Sequence, residues 1–198
     1  VLDFSASMYE TNEDIDKMTL SAKDLIDSLN ETHQVGVVEF HRPDEPPALL
    51  HAFTTYKNAA KEAIDNFSYG KIYRDFSSCW DAVHKGLKQF PEKPDPNVFK
   101  TLAFLSDGFD NSSFNTPDDV IALAKERDVH IYALGIGSGK EEKVLETIAL
   151  ETGGTYVHSE NINVLRERFK QIIKDIKGQY KIKYITPKKP DDDRFVVE

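Results

Sequence analysis

Four side chains in two separate stretches offer hard oxygen donors in a pattern suited to a divalent cation. Asp3, Ser5 and Ser7 alternate directly after a short apolar opening, Val1-Leu2. Asp107 follows the apolar run Thr101-Leu-Ala-Phe-Leu105 and Ser106. Carboxylates and hydroxyls, with no imidazole and no thiolate among them, suit Mg²⁺, Mn²⁺ or Ca²⁺. Hydroxyls are weak ligands, so two carboxylates and several hydroxyls leave the metal under-neutralised and receptive to one more anionic oxygen. A partner protein's Asp or Glu can take such an open position. The bland alternative is that Asp3, Ser5 and Ser7 cap a helix and satisfy loop amides, and that Ser77 is a plain N-cap. Asp107, arriving from a distant part of the chain, is what turns the triplet into a site. Asp110-Asn111 is assigned to stabilising the turn after its strand rather than to the metal.

The elements that position these residues follow from periodicity. Val1–Phe4 reads as the tail of a strand whose front is missing. Ile15, Met18, Ala22, Leu25, Ile26 and Leu29 recur at helical spacing and predict an amphipathic helix over 12–30. Short apolar, β-branched runs predict strands at 34–40, 101–105 and 130–135, with an edge strand at 49–53 and a short one at 155–158. Helices are expected over 55–67 with Thr55 as cap, over 77–90, over 116–127 with Thr116 as N-cap and Pro117 at the first position, over 140–152 closed by Gly153-Gly154, and over 164–176. Strands alternate with helices about six times. That is an α/β chain with a doubly wound, mostly parallel sheet flanked by helices. In such sheets ligands bind beyond the C-terminal ends of strands where the strand order reverses, and both Asp3 and Asp107 stand at strand ends.

With 198 residues, 39% apolar and 30% charged, the chain fits one globular domain. We expect it over 1–178, with 179–198 an additional C-terminal β-segment or the start of a following module. No apolar run is long enough to span a bilayer, so direct membrane insertion is not expected. The formal net charge of −9 argues against a nucleic-acid binder, which needs a basic face. The single cysteine, Cys79, excludes an internal disulfide and makes a thiolate zinc site implausible.

The spacing Asp3-x-Ser5-x-Ser7, with Leu105-Ser-Asp-Gly108 and the helix start at Ser77, resembles the metal-ion-dependent adhesion site of the von Willebrand factor type A family. Ile131-Tyr-Ala-Leu-Gly-Ile-Gly137 and Leu150-Glu-Thr-Gly-Gly-Thr-Tyr156 resemble its fifth and sixth strand regions, so the likeness runs over essentially the whole chain. The resemblance implies a Rossmann-like fold and a Mg²⁺ site, or one for Mn²⁺ or Ca²⁺, held by Asp3, Ser5, Ser7, Ser77 and Asp107. Two departures stand out. Ala6 replaces the usual Gly between the serines, and Asp75-Phe76-Ser77 stands where Gly-Gly-Thr is common. Both bear on how tightly a metal binds.

Other signals fall away. Gly135-Ile-Gly-Ser-Gly-Lys140 lacks the first Gly and the final Ser or Thr of a phosphate loop, so a turn is expected. The six histidines do not fall at ligand spacing and read as solvated or packed. Asn30, Asn66 and Asn111 each open a glycosylation-type triplet. Met8, Tyr9 and Phe109 are expected at the rim of the site. No nucleophile stands beside a general base, so the expectation is a protein-binding module, not an enzyme. The alternatives are a scaffold domain with a weak or empty metal site and a metal-assisted hydrolase. The alternating tail Tyr180-Lys-Ile-Lys-Tyr-Ile-Thr-Pro187 resembles the β-segment that follows this domain in secreted and surface proteins. It tilts the expected location to extracellular, cell-surface or periplasmic, while intracellular members of the family exist.

Overall fold

A computed structural model describes residues 1–5, 8, 12–41, 46–68, 77–107, 109–136, 142–159, 164, 167, 168, 170, 172 and 174. Ser7, Asp75 and Phe76, Gly137–Lys140 and the whole tail from 175 lie outside the described residues. Six strands form one sheet: β1 (Leu2–Asp3), β2 (Val35–Phe40), β3 (Ala48–Thr54), β4 (Lys100–Ser106), β5 (Val129–Ile136) and β6 (Tyr156–Ser159). Among the described residues five helices connect them: α1 (Asn12–Ser28), α2 (Lys57–Ser68), α3 (Cys79–Leu87), α4 (Pro117–Arg127) and α5 (Glu142–Glu151). The strand order is β3-β2-β1-β4-β5-β6. All neighbours run parallel except the edge strand β3, which is antiparallel to β2.

Both sheet faces are buried, as the unbroken apolar strands require. Within β5, Val129, Ile131 and Ala133 join one core, and Tyr132, Leu134 and Ile136 the other. The first face carries α1 and α2 through Ile15, Met18, Ala22, Ile26, Ala60 and Ile64, with Ile172 buried beside them. The second carries α3, α4 and α5 through Val83, Leu87, Val120, Ala124, Leu145 and Ile148. Of the last expected helix, residues 167, 168, 170, 172 and 174 are helical among the described residues. No helix among them is long and apolar enough to cross a membrane.

Helix ends account for most departures from the expected boundaries. Thr116 caps α4 with a full capping box: its hydroxyl accepts from Asp119 N, and the Asp119 carboxylate accepts from Thr116 N. Thr55 does not cap α2. The helix starts two residues later, at Lys57, and the Thr54 hydroxyl accepts from Tyr56 N at 2.9 Å instead. At the end of α5, Gly153 has φ +72° and Gly154 N donates to Ala149 O at 2.9 Å, which closes the helix as a left-handed cap. A Cβ on Gly154 would lie 1.9 Å from Ile131 O, so only glycine lets the chain pass β5 here.

The C-terminal carbonyls of α3 are held from outside. Arg127, 8% exposed, donates through Nη1 to Phe90 O at 2.5 Å and to Lys88 O at 3.1 Å. A cation at a helix C-terminus and charge-assisted bonds to carbonyls both favour this arrangement. Arg127→Met should therefore cost about 2–3 kcal/mol. Urea denaturation checks this, and a loss below about 0.5 kcal/mol would show that the carbonyls find water instead.

Candidate functional site

In the observed order the chain runs outward from β1 to β3, then returns to the other side of β1 for β4. The reversal lies between β1 and β4, and the C-terminal ends of these two strands carry Asp3 and Asp107. Parallel pairing sets Leu2 opposite Leu105, so Asp3 stands level with Ser106 and Asp107 follows one residue beyond.

Asp3 is fully buried. Its Oδ1 accepts from Ser5 N at 2.8 Å and Ser5 Oγ at 2.5 Å, and its Oδ2 accepts from Ser106 Oγ at 2.6 Å. Burial, and then the charge of Asp107, push its carboxyl up from 3.8 to about 7, against the opposing pull of these donors. Asp107 is half-buried, and its Oδ1 accepts from Phe109 N at 3.0 Å. Two carboxylates thus share a site in which one is hard to ionise, a configuration that a cation would relieve.

The start of α3 closes the third side. Cys79 Sγ lies 3.9 Å from Ser106 Oγ, and its thiol is pushed up first by burial and then by the charges of Asp3, Asp110 and Asp107. The N-cap of α3 is Ser78, not Ser77, and it makes no side-chain capping bond. The amides of α3 are served by the loop after β4 instead. Trp80 N donates to Asp110 Oδ2 at 3.2 Å, and Asp81 N to Ser113 Oγ at 3.1 Å. The same loop grips the Ser77 backbone. Ser77 N donates to Asn111 Oδ1 at 3.0 Å, while Ser77 O accepts from Asn111 N, Ser112 N and Ser112 Oγ. With its backbone fixed, Ser77 keeps a hydroxyl that is buried and has no hydrogen-bond partner among the described residues, as does its neighbour Ser78. Such orphaned buried groups are uncommon and call for an explanation.

The structure therefore places Asp3, Ser5, Ser77 and Asp107 on three adjoining segments at the reversal point. Ser7 and Tyr9 lie outside the described residues, Met8 is buried rather than at the rim, and Phe109 is exposed. Asp110 and Asn111 fasten the turn, as expected of them. Two contributors were not singled out: Ser106, which donates to Asp3, and Ser112, which with Asn111 holds Ser77. Ser106 carried a signal in standing directly before Asp107 at a strand end. His41 is packed, its Nδ1 2.8 Å from Glu39 Oε2 and its ring edge-on to Phe67. Among the described residues, no group of three or more His, Cys, Asp or Glu side chains is placed to hold a metal. A site of two carboxylates and several hydroxyls does not form such a group.

The model of the von Willebrand factor type A domain matches residues 1–172. No curated protein matches by sequence. Among solved structures, the chain is similar to the conserved hypothetical protein BatB from Bacteroides thetaiotaomicron, with 18% identity and a TM-score of 0.68, covering 89% of this chain and 96% of that one. It is similar to proximal thread matrix protein 1 from the mussel byssus, with zinc in its metal-ion-dependent adhesion motif: 21% identity, TM-score 0.69, 87% of this chain and 45% of that one. Manganese-loaded TRAP protein of Plasmodium vivax matches with 18% identity and a TM-score of 0.60, over 87% of this chain and 70% of that one. At these identities the likeness establishes the fold, and the family model adds the lineage: the chain belongs to the von Willebrand factor type A domain family.

Proposed function

We propose that Asp3, Ser5, Ser7, Ser77 and Asp107 hold a divalent cation, Mg²⁺ or else Mn²⁺ or Ca²⁺, and that the cation binds a carboxylate presented by a partner protein. The observation that carries this reading is the orphaned buried hydroxyl of Ser77, two residues before Cys79, whose Sγ lies 3.9 Å from the Ser106 hydroxyl that bonds Asp3. The fit of donor to metal is chemical. Ser5 Oγ gives its proton to Asp3, so what it can still offer is a lone pair. Asp3 supplies charge and orients Ser5 and Ser106, and Asp107 supplies the second charge. Hydroxyl oxygens and carboxylates are ligands for hard cations. Two of the similar structures are described with zinc or manganese, which supports a divalent ion without naming the one used here. Von Willebrand factor type A domains are typically interaction modules, and an under-neutralised cation at the surface end of the sheet suits that role. An extracellular, surface or periplasmic setting fits the reading.

Ser77→Ala tests it. Removing an unpartnered buried hydroxyl should leave the metal-free protein as stable as the parent, or up to about 1 kcal/mol more stable. The same change should weaken Mg²⁺ or Mn²⁺ binding about tenfold or more in calorimetric titration. Destabilisation with unchanged metal affinity would make Ser77 a structural residue and remove the main support for the site.

A further inference from the structure

The loop between β4 and α4, which begins at Asp107, carries two exposed aromatic rings. Phe114 is 96% exposed and Phe109 49%. A single exposed aromatic is ordinary, but the backbone that carries Phe114 is not. Four consecutive amides each donate to a carboxylate. Ser113 N bonds to Asp110 at 3.2 Å, Phe114 N to both oxygens of Asp81 at 3.2 and 3.1 Å, Asn115 N to Asp81 at 2.8 Å, and Thr116 N to Asp119 at 2.8 Å. Asn115 Nδ2 adds a sixth bond, to Asp81 at 2.6 Å. Asp81 itself sits in the first turn of α3, four residues after Ser77. Phe109 N donates to Asp107, so that ring belongs to the metal loop itself. A rigid backbone holding a bare ring is the arrangement that binds a partner at low entropic cost.

Charge narrows what the partner can be. Residues 107–119 contain Asp107, Asp110, Asp118 and Asp119 and no Lys, Arg or His. An acidic partner segment would be drawn by the cation but repelled by this rim unless its own charge is balanced. We propose that Phe114 and Phe109 form an aromatic docking rim. It takes a protein segment in which the carboxylate for the cation is accompanied, within a few residues, by an apolar side chain and a basic one. The inference rests on the metal reading above.

A phage-displayed heptapeptide library, selected in Mg²⁺ on the parent protein, on Phe114→Ser and on Asp107→Ala, tests it. Phe114 is exposed and touches no proposed ligand, so calorimetric Mg²⁺ binding serves as the control for its variant. The parent should enrich peptides combining an Asp or Glu with an apolar and a basic residue. Phe114→Ser should keep the acidic residue and lose the apolar preference, and the parent's consensus peptide should bind it about tenfold more weakly or worse. Asp107→Ala should enrich nothing in common with the parent. The same consensus on Phe114→Ser, an enriched motif without an apolar residue, or no enrichment on a Mg²⁺-bound parent would each overturn the rim. The parent's consensus persisting on Asp107→Ala would instead overturn the metal reading beneath it.

Discussion

Stripped of divalent cations, the protein should lose about 4 kcal/mol of Asp3-linked stability as the pH rises from about 4 to about 7. The cause is the Asp3 carboxyl, which burial and Asp107 raise from 3.8 to about 7. Below pH 4 the group is protonated in both the folded and unfolded chain and favours neither. Between pH 4 and 7 the unfolded chain has released its proton while the folded chain still holds it. The folded state then binds more protons, and stability falls with rising pH. Above pH 7 both forms are ionised and the loss is complete. Against a typical total of about 5–15 kcal/mol, this is a large share. Other titrating groups add their own slopes to the total. The measurement is therefore a difference: urea unfolding of the parent and of Asp3→Asn, in chelator, across pH 4–8. The two curves should diverge as the pH rises, with Asp3→Asn the more stable at pH 8. Saturating Mg²⁺ should flatten the parent's Asp3-linked slope, because a cation favours the ionised carboxyl. Parallel curves in chelator would mean that Asp3 ionises as easily folded as unfolded, and that the site carries no charge strain for a metal to relieve.

The second large effect is that Asp107→Ala should separate stability from function. Removing Asp107 deletes a charge that raises the Asp3 carboxyl, so the metal-free variant should be at least as stable as the parent near neutral pH. Its own side chain is half-buried and accepts only from Phe109 N among the described bonds, so little packing is lost. Cation affinity should nonetheless fall by about 100-fold or more, about 2.7 kcal/mol, because one of two ligand charges is gone. Partner binding, which runs through the cation, should fall with it. Asp107→Asn keeps the shape and loses the charge, and should behave alike. Thermal unfolding in chelator together with Mg²⁺ calorimetry reads both halves. A variant that is destabilised yet binds Mg²⁺ as the parent does would place Asp107 in the structure rather than in the site.

The parts of the fold that local pattern can encode were legible. The apolar runs of β4 and β5 announced strands buried on both sides, and the Thr116-Pro117 pair announced α4 to the residue. Asp3 and Asp107 were legible because each directly follows such a strand, and strand ends in this architecture are where ligands gather. What periodicity does not carry is a bond between distant segments. Ser77 was assigned to the start of α3, but the helix begins at Cys79, because its first amides are satisfied by Asp110 and Ser113 some thirty residues later. Thr55 failed as a cap for a related reason. A hydroxyl one residue away, on Thr54, already turns the chain. Glu39 sat unnoticed in a strand read as apolar. It is buried completely, with His41 as its partner from the same strand face, and nothing in the local pattern distinguishes that carboxylate from a solvated one.

The most direct test of the cation site is crystallographic. Crystals soaked in Mn²⁺ should show one anomalous difference peak between the ends of β1 and β4, within about 2.0–2.6 Å of Ser5 Oγ, Ser77 Oγ and an Asp107 carboxylate oxygen. A well-ordered site with no peak there at saturating Mn²⁺, or a peak held only by other residues, would contradict the account.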